Sequence, residues 1–108
     1  MLKSTADFQR LARNGKRWSG SVLMLQATPA TDSDLFRCGL TASRKVGGAV
    51  VRNRAKRRLR ETIRALVRAH DIKGWDVVVI ARTASATCAF ELLQQEAVNG
   101  FKKLGILS

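Results

Sequence analysis

The run Gly39-Leu-Thr-Ala-Ser-Arg-Lys-Val-Gly-Gly-Ala-Val-Val-Arg-Asn-Arg-Ala-Lys-Arg-Arg-Leu-Arg-Glu61 changes its periodicity at a glycine pair. Before the pair, Phe36, Cys38, Leu40 and Ala42 alternate with Arg37, Gly39, Thr41 and Ser43. A period of two with one apolar face predicts a strand over 35–43. After Gly47-Gly48 the period lengthens to that of a helix, over about 49–70. Leu59, Ile63, Leu66 and His70 form one stripe of that helix, with Val67 at its margin. Asn53, Arg54, Arg57, Arg60, Glu61, Arg64 and Arg68 take the opposite half. Residues 71–74 make a connection. The strand predicted next, over 76–82, holds four β-branched residues from Val77 to Ile80. It is apolar on both faces, which suits a central strand. Strand, helix and strand in this order predict a mixed α+β domain.

Working outward, a last helix over about 89–104 carries Phe90, Leu93, Ala97, Phe101 and Leu104 along one stripe. Upstream, residues 20–27 read as a strand that begins near Trp18, followed by a turn-rich loop over 28–34. A short helix is expected over 5–14. Thr5 can cap it, Phe8 and Leu11 share a face, and Asn14-Gly15 stops it. There is no internal repeat or low-complexity tract, and the expectation is one domain over 1–108.

Charge narrows the function. Twenty Lys and Arg oppose eight Asp and Glu, a net charge of +12, and ten of those cations lie between Arg44 and Arg68 with Glu61 the only acid among them. Such an excess repels itself in the compact state and calls for a polyanionic partner. The guanidinium fork matches phosphate oxygens, and Arg at i, i+3 and i+4 can follow a curved backbone. An ordinary solvated helix face mixes charge signs, and this one barely does. A membrane-surface helix would carry interfacial Trp on its apolar stripe, which here is needed to cover a sheet. A DNA-reading helix-turn-helix does not fit a helix flanked by strands.

Catalysis by the protein itself finds little support. The eight acids are scattered, whereas Mg²⁺-assisted phosphodiester hydrolysis needs clustered carboxylates. His70 is the only histidine, and its place on the apolar stripe suits packing or a helix-terminal role better than acid–base work. Cys38, Cys88 and one histidine cannot make a four-ligand zinc site. No catalytic residue and no metal ligand is therefore assigned. Met1-Leu2-Lys3-Ser4 opens no signal-like apolar region, and no run approaches membrane-spanning length. A cytoplasmic protein with no membrane association is expected.

The quoted segment closely resembles the signature of the bacterial ribonuclease P protein family. That signature is a strand ending in Ser-Lys-Lys-Val-Gly, then Ala-Val, then a helix opening Arg-Asn-Arg-x-Lys-Arg-x-x-Arg-Glu. Arg52-Asn53-Arg54 matches the Arg-Asn-Arg, and Lys56, Arg57 and Arg60 match its continuation. Asp7-Phe8, the strand at 76–82 and Phe90 agree more weakly. The resemblance implies an α-β-β-β-α-β-α sandwich with a central sheet. Its basic helix would make a left-handed crossover between parallel strands, against the general rule. The order needs one more strand, around Arg17 to Gly20. The resemblance also implies a subunit of a ribonucleoprotein endoribonuclease. Its partners would be the catalytic RNA subunit and precursor tRNA, with no obligate protein partner. The protein alone would bind no cofactor, and Mg²⁺ would come with the RNA.

The residues that the resemblance assigns to RNA are Arg44, Lys45, Arg52, Asn53, Arg54, Lys56, Arg57, Arg60 and Arg64. Those expected to line a cleft for the 5′ leader, between the first helix and the sheet, are Phe8, Ala12, Val22, Met24, Thr41 and Ser43. Family members often carry aromatics where this chain has Ala12 and Met24, and this chain has no Tyr. The alternative reading is a non-catalytic RNA-binding protein of ribosomal or RNA-chaperone type.

Overall fold

The structure, a computed structural model, describes residues 15–30 and 34–107. The helix expected over 5–14 lies outside these residues. The described elements are β1 (Lys16–Ser19), β2 (Leu23–Pro29), β3 (Arg37–Thr41), a 3-10 turn at Arg44–Val46, α1 (Ala49–His70), β4 (Trp75–Ala81), a second 3-10 turn at Thr83–Ala86 and α2 (Phe90–Lys103). The four strands form one sheet in the order β1-β2-β4-β3. β1 pairs antiparallel with β2, and β2 antiparallel with β4. β3 and β4 are parallel neighbours joined through α1.

β4 is central, as its two apolar faces require. Val77 and Val79 point to one side, and Asp76, Val78 and Ile80 to the other. The first side holds the core. Leu23, Leu25 and Ala27 of β2 meet Val77, Val79 and Ala81 there, and both helices close over them. α1 contributes Leu59, Ile63 and Leu66, and α2 contributes Leu93, Ala97 and Phe101. Each fully buried Leu or Ile of this set contributes roughly 1.5–3 kcal/mol of apolar transfer energy. Gly100 is what lets α2 lie so close. A Cβ there would stand 2.5 Å from Leu25 and 2.7 Å from the Trp18 indole. The glycine weakens the helix by about 1 kcal/mol relative to alanine, and close packing offsets that.

The structure corrects several sequence expectations. The strand expected over 20–27 starts later, at Leu23, after a bend at Ser21-Val22, and the further strand expected around Arg17 to Gly20 is β1. β2 runs on through Thr28 and Pro29, the first two residues of the stretch expected as a loop over 28–34. Pro29 stands opposite Trp75 at the last rung of the ladder. His70 is exposed rather than packed, because the helix projects past Leu66, its last buried residue. His70 keeps the helix-terminal position, followed by Asp71 in the left-handed conformation that closes the helix.

Candidate nucleic-acid interface

The basic segment begins where β3 ends. Ser43, Arg44 and Lys45 are exposed on the first 3-10 turn. Gly47 then takes φ +149°, and a Cβ there would stand 2.9 Å from the Val51 side chain. Only glycine fits this reversal, which sets the start of α1 directly beside the turn. Gly48 caps α1 through backbone alone, and no acid lies in the first turn. The positive end of the helix dipole is thus left uncompensated next to Arg44 and Lys45.

Along α1 the cations divide into three groups. Asn53, Arg54, Arg57 and Arg64 are exposed on the half opposite Leu59 and Ile63. Arg52, Lys56 and Arg60 are half-buried, on the flank between the exposed and buried sides. Arg60 was expected to point fully outward; it instead lies over β3, with Phe36, Cys38 and Leu40 beneath it. Arg58 does something different. Its guanidinium donates to the backbone carbonyl of Ser85, at 2.8 Å, and to that of Cys88. It ties α1 to the segment that follows β4, so it serves the fold. The wheel position of Arg58, midway between the buried and exposed sides, was the signal for this.

The other face of the sheet holds the residues expected at the leader cleft. Met24 pairs with Ile80, and Ile80 with Thr41, so the three lie side by side across β2, β4 and β3. All three are half-buried. Ile80 was not foreseen, though its alternation with Val79 places it on this face. Ser43 is exposed just past the end of β3. Val22 does not belong with them: it is 3% exposed and packs in the core at the bend before β2. Phe8 and Ala12 lie outside the described residues. At the far end of this face Arg37 donates two hydrogen bonds to Asp76, at 2.8 and 2.7 Å. Asp76 is fully buried, so the pair fixes the edge strand to the central one.

Two further groups are committed to structure. Glu96 of α2 accepts hydrogen bonds from the backbone N–H groups of Ser21 and Val22, each at 2.9 Å, and from the Ser21 hydroxyl. Burial pushes its carboxyl pKa up, but these bonds outweigh it and hold the group below its ordinary range. Burial pushes the Cys38 thiol up to about 12, so it stays neutral. Among the described residues no three of His, Cys, Asp and Glu come together as a metal site would need. No described helix is long and apolar enough to cross a membrane.

Comparison with known proteins agrees with this geometry. Residues 1–105 match the family model of Ribonuclease P. The chain is 43% identical to the ribonuclease P protein component of Paramagnetospirillum magneticum, over 98% of this chain and 83% of the relative. It is 40% identical to that of a Roseiflexus species, over 98% and 86%. Its fold superposes on the RNase P protein of Staphylococcus aureus with a TM-score of 0.84 and 29% identity, covering 99% of this chain and 96% of that one. With matches of this identity along nearly its whole length, the chain belongs to the ribonuclease P protein family.

Proposed function

We propose that this chain is the protein subunit of a ribonuclease P ribonucleoprotein, which removes the 5′ leader of precursor tRNA. In this reading the RNA subunit and its Mg²⁺ carry the chemistry and the protein supplies charge and position. The single observation that carries the reading is the cationic surface that begins at Arg44 and Lys45 and runs up α1 through Arg54, Arg57 and Arg64. Phosphates held there would give affinity and orientation rather than sequence choice. Neutralising them lowers the repulsion between two RNAs that must meet.

The row Met24–Ile80–Thr41 on the opposite face, with Ser43 at its end, is the proposed floor for the leader. Its side chains are aliphatic and small, so it would grip by shape more than by stacking. Transfer RNA processing places this work in the cytoplasm. The test is cleavage of precursor tRNA by purified protein, by the RNA subunit, and by both, at moderate Mg²⁺. Specific 5′ cleavage is expected with both RNA and protein, faster than with RNA alone, and absent with protein alone. Cleavage by rigorously RNA-free protein, or no effect of the protein on the RNA reaction, would overturn the reading. The second of these outcomes would favour a non-catalytic RNA-binding role.

A further inference from the structure

Among the described residues, the apolar side of β3 and of Phe36 just before it is only half covered. Phe36, Cys38 and Leu40 pack against the core from one side yet remain partly exposed on the other. Above them Ile63 and Val67 of α1 form a second wall, and between the two lies a groove of about 460 Å³. Arg60, Arg64 and Arg68 line its rim. They recur every four residues, so they rise along one side of the helix about 6 Å apart. That interval is close to the separation of successive phosphates in a nucleic-acid strand. The Phe36 ring is held in place by Phe101, with centroids 6.5 Å apart and planes tilted by 48°.

We infer that this groove is an RNA-contact subsite that takes one unstacked nucleobase between Phe36, Leu40 and Val67, with the flanking phosphates on Arg60, Arg64 and Arg68. The inference rests on the RNA-binding reading above and adds to it a place where a base, not only a backbone, is held. The chemistry favours this occupant. A nucleobase is flat and largely apolar on its faces, and aromatic and aliphatic walls suit it. The volume is within the range of small-ligand sites. The Cys38 thiol stays protonated and adds no negative charge to the floor. Glu61 lies 3.8 Å from Arg64, but both are well exposed and water screens the pair. A second copy of the chain is a poor occupant, because two bodies of charge +12 repel each other.

The test uses the full chain and two single-stranded probes of equal length. One is an oligouridylate, and the other is the same ribose-phosphate chain without bases. Wild type should bind the oligouridylate about tenfold more tightly, as expected for one stacked base. Val67→Met pushes a flexible aliphatic chain into the groove and offers no ring to stack on; it should abolish that preference and keep the salt dependence, because the phosphates and arginines are unchanged. In parallel, methyl resonances of Leu40, Ile63 and Val67 in the wild type should shift with oligouridylate and not with the abasic chain. This second measurement decides the matter should the Met variant not fold. Equal binding of both probes with a normal salt slope overturns the groove alone. So does a base preference that survives Val67→Met, since the base would then sit elsewhere. No binding of either probe removes the RNA-binding reading and the groove together.

Discussion

The two helices cover the same face of the same sheet with similar apolar stripes, yet their polar sides follow opposite rules. α2 carries Glu91 in its first turn and Lys102 and Lys103 in its last, which is the order its dipole favours. Its two acids and two lysines balance. α1 has eight cations and one acid, with no acid in its first turn and Arg44 and Lys45 crowded beside its positive end. α2 is electrostatically complete within the fold. α1 is complete only with an anion against it. The comparison teaches that similar burial patterns can serve a structural element and a binding element, and that the polar side tells them apart.

The largest expected effect tests the binding side of this contrast. Arg54, Arg57 and Arg64 all changed to Ala should weaken binding to the RNA subunit about a hundredfold, at roughly 1 kcal/mol per exposed contact. The slope of log affinity against log salt should become shallower by about two units, as fewer counterions are released. Thermal stability of the free protein should stay the same or rise, because self-repulsion falls. A salt titration and a melting curve on the same variant check both halves. Unchanged affinity and slope would make α1 as self-sufficient as α2 and break the comparison.

Arg58→Ala sharpens it from within α1. Its guanidinium bonds two backbone carbonyls, so the variant should lose about 2 kcal/mol of unfolding free energy in urea. The salt slope of RNA binding should not move. A shallower slope with intact stability would place Arg58 among the phosphate-binding residues instead.

The smallest effect lies on α2. Glu96→Gln should cost less than about 1 kcal/mol, because the site is near solvent. Its signature is in the pH dependence. The folded carboxyl is held below its ordinary value, so its contribution is present above the ordinary carboxylate pKa. It is lost as pH falls through the lower folded value. Denaturation across the acid range should show that loss in wild type and a flatter profile in the Gln variant. Parallel profiles would mean that the hydrogen bonds to Ser21 and Val22 do not depend on the charge.

Strong local patterns made parts of the fold legible in the sequence. The four β-branched residues from Val77 to Ile80 announce a central strand, and the split of apolar and cationic residues orients α1. β1 was harder to place. Lys16–Ser19 is a four-residue edge strand with only Trp18 turned to the core, and such a segment has no period to read. Val22 shows the limit of counting by twos: the bend at Ser21-Val22 resets the alternation, so parity with Met24 does not give the same face. The wheel misjudged Arg60 and His70 for a related reason. It knows angle around the helix but not where the sheet beneath begins and ends. The half-open face of β3 was equally hidden. An alternating strand states which side is apolar, not how much of that side a crossing helix will cover.

The bond between Glu96 and the Ser21-Val22 bend spans 75 residues of chain. A ribosome making this protein completes the Arg44–Arg68 stretch well before residue 96 exists. For that interval the first hairpin has no strap at its corner and no α2 above Leu25. β2 also waits for β4, its antiparallel neighbour some fifty residues later. The basic segment and most of the sheet are therefore made before the fold can close, and closure waits for α2.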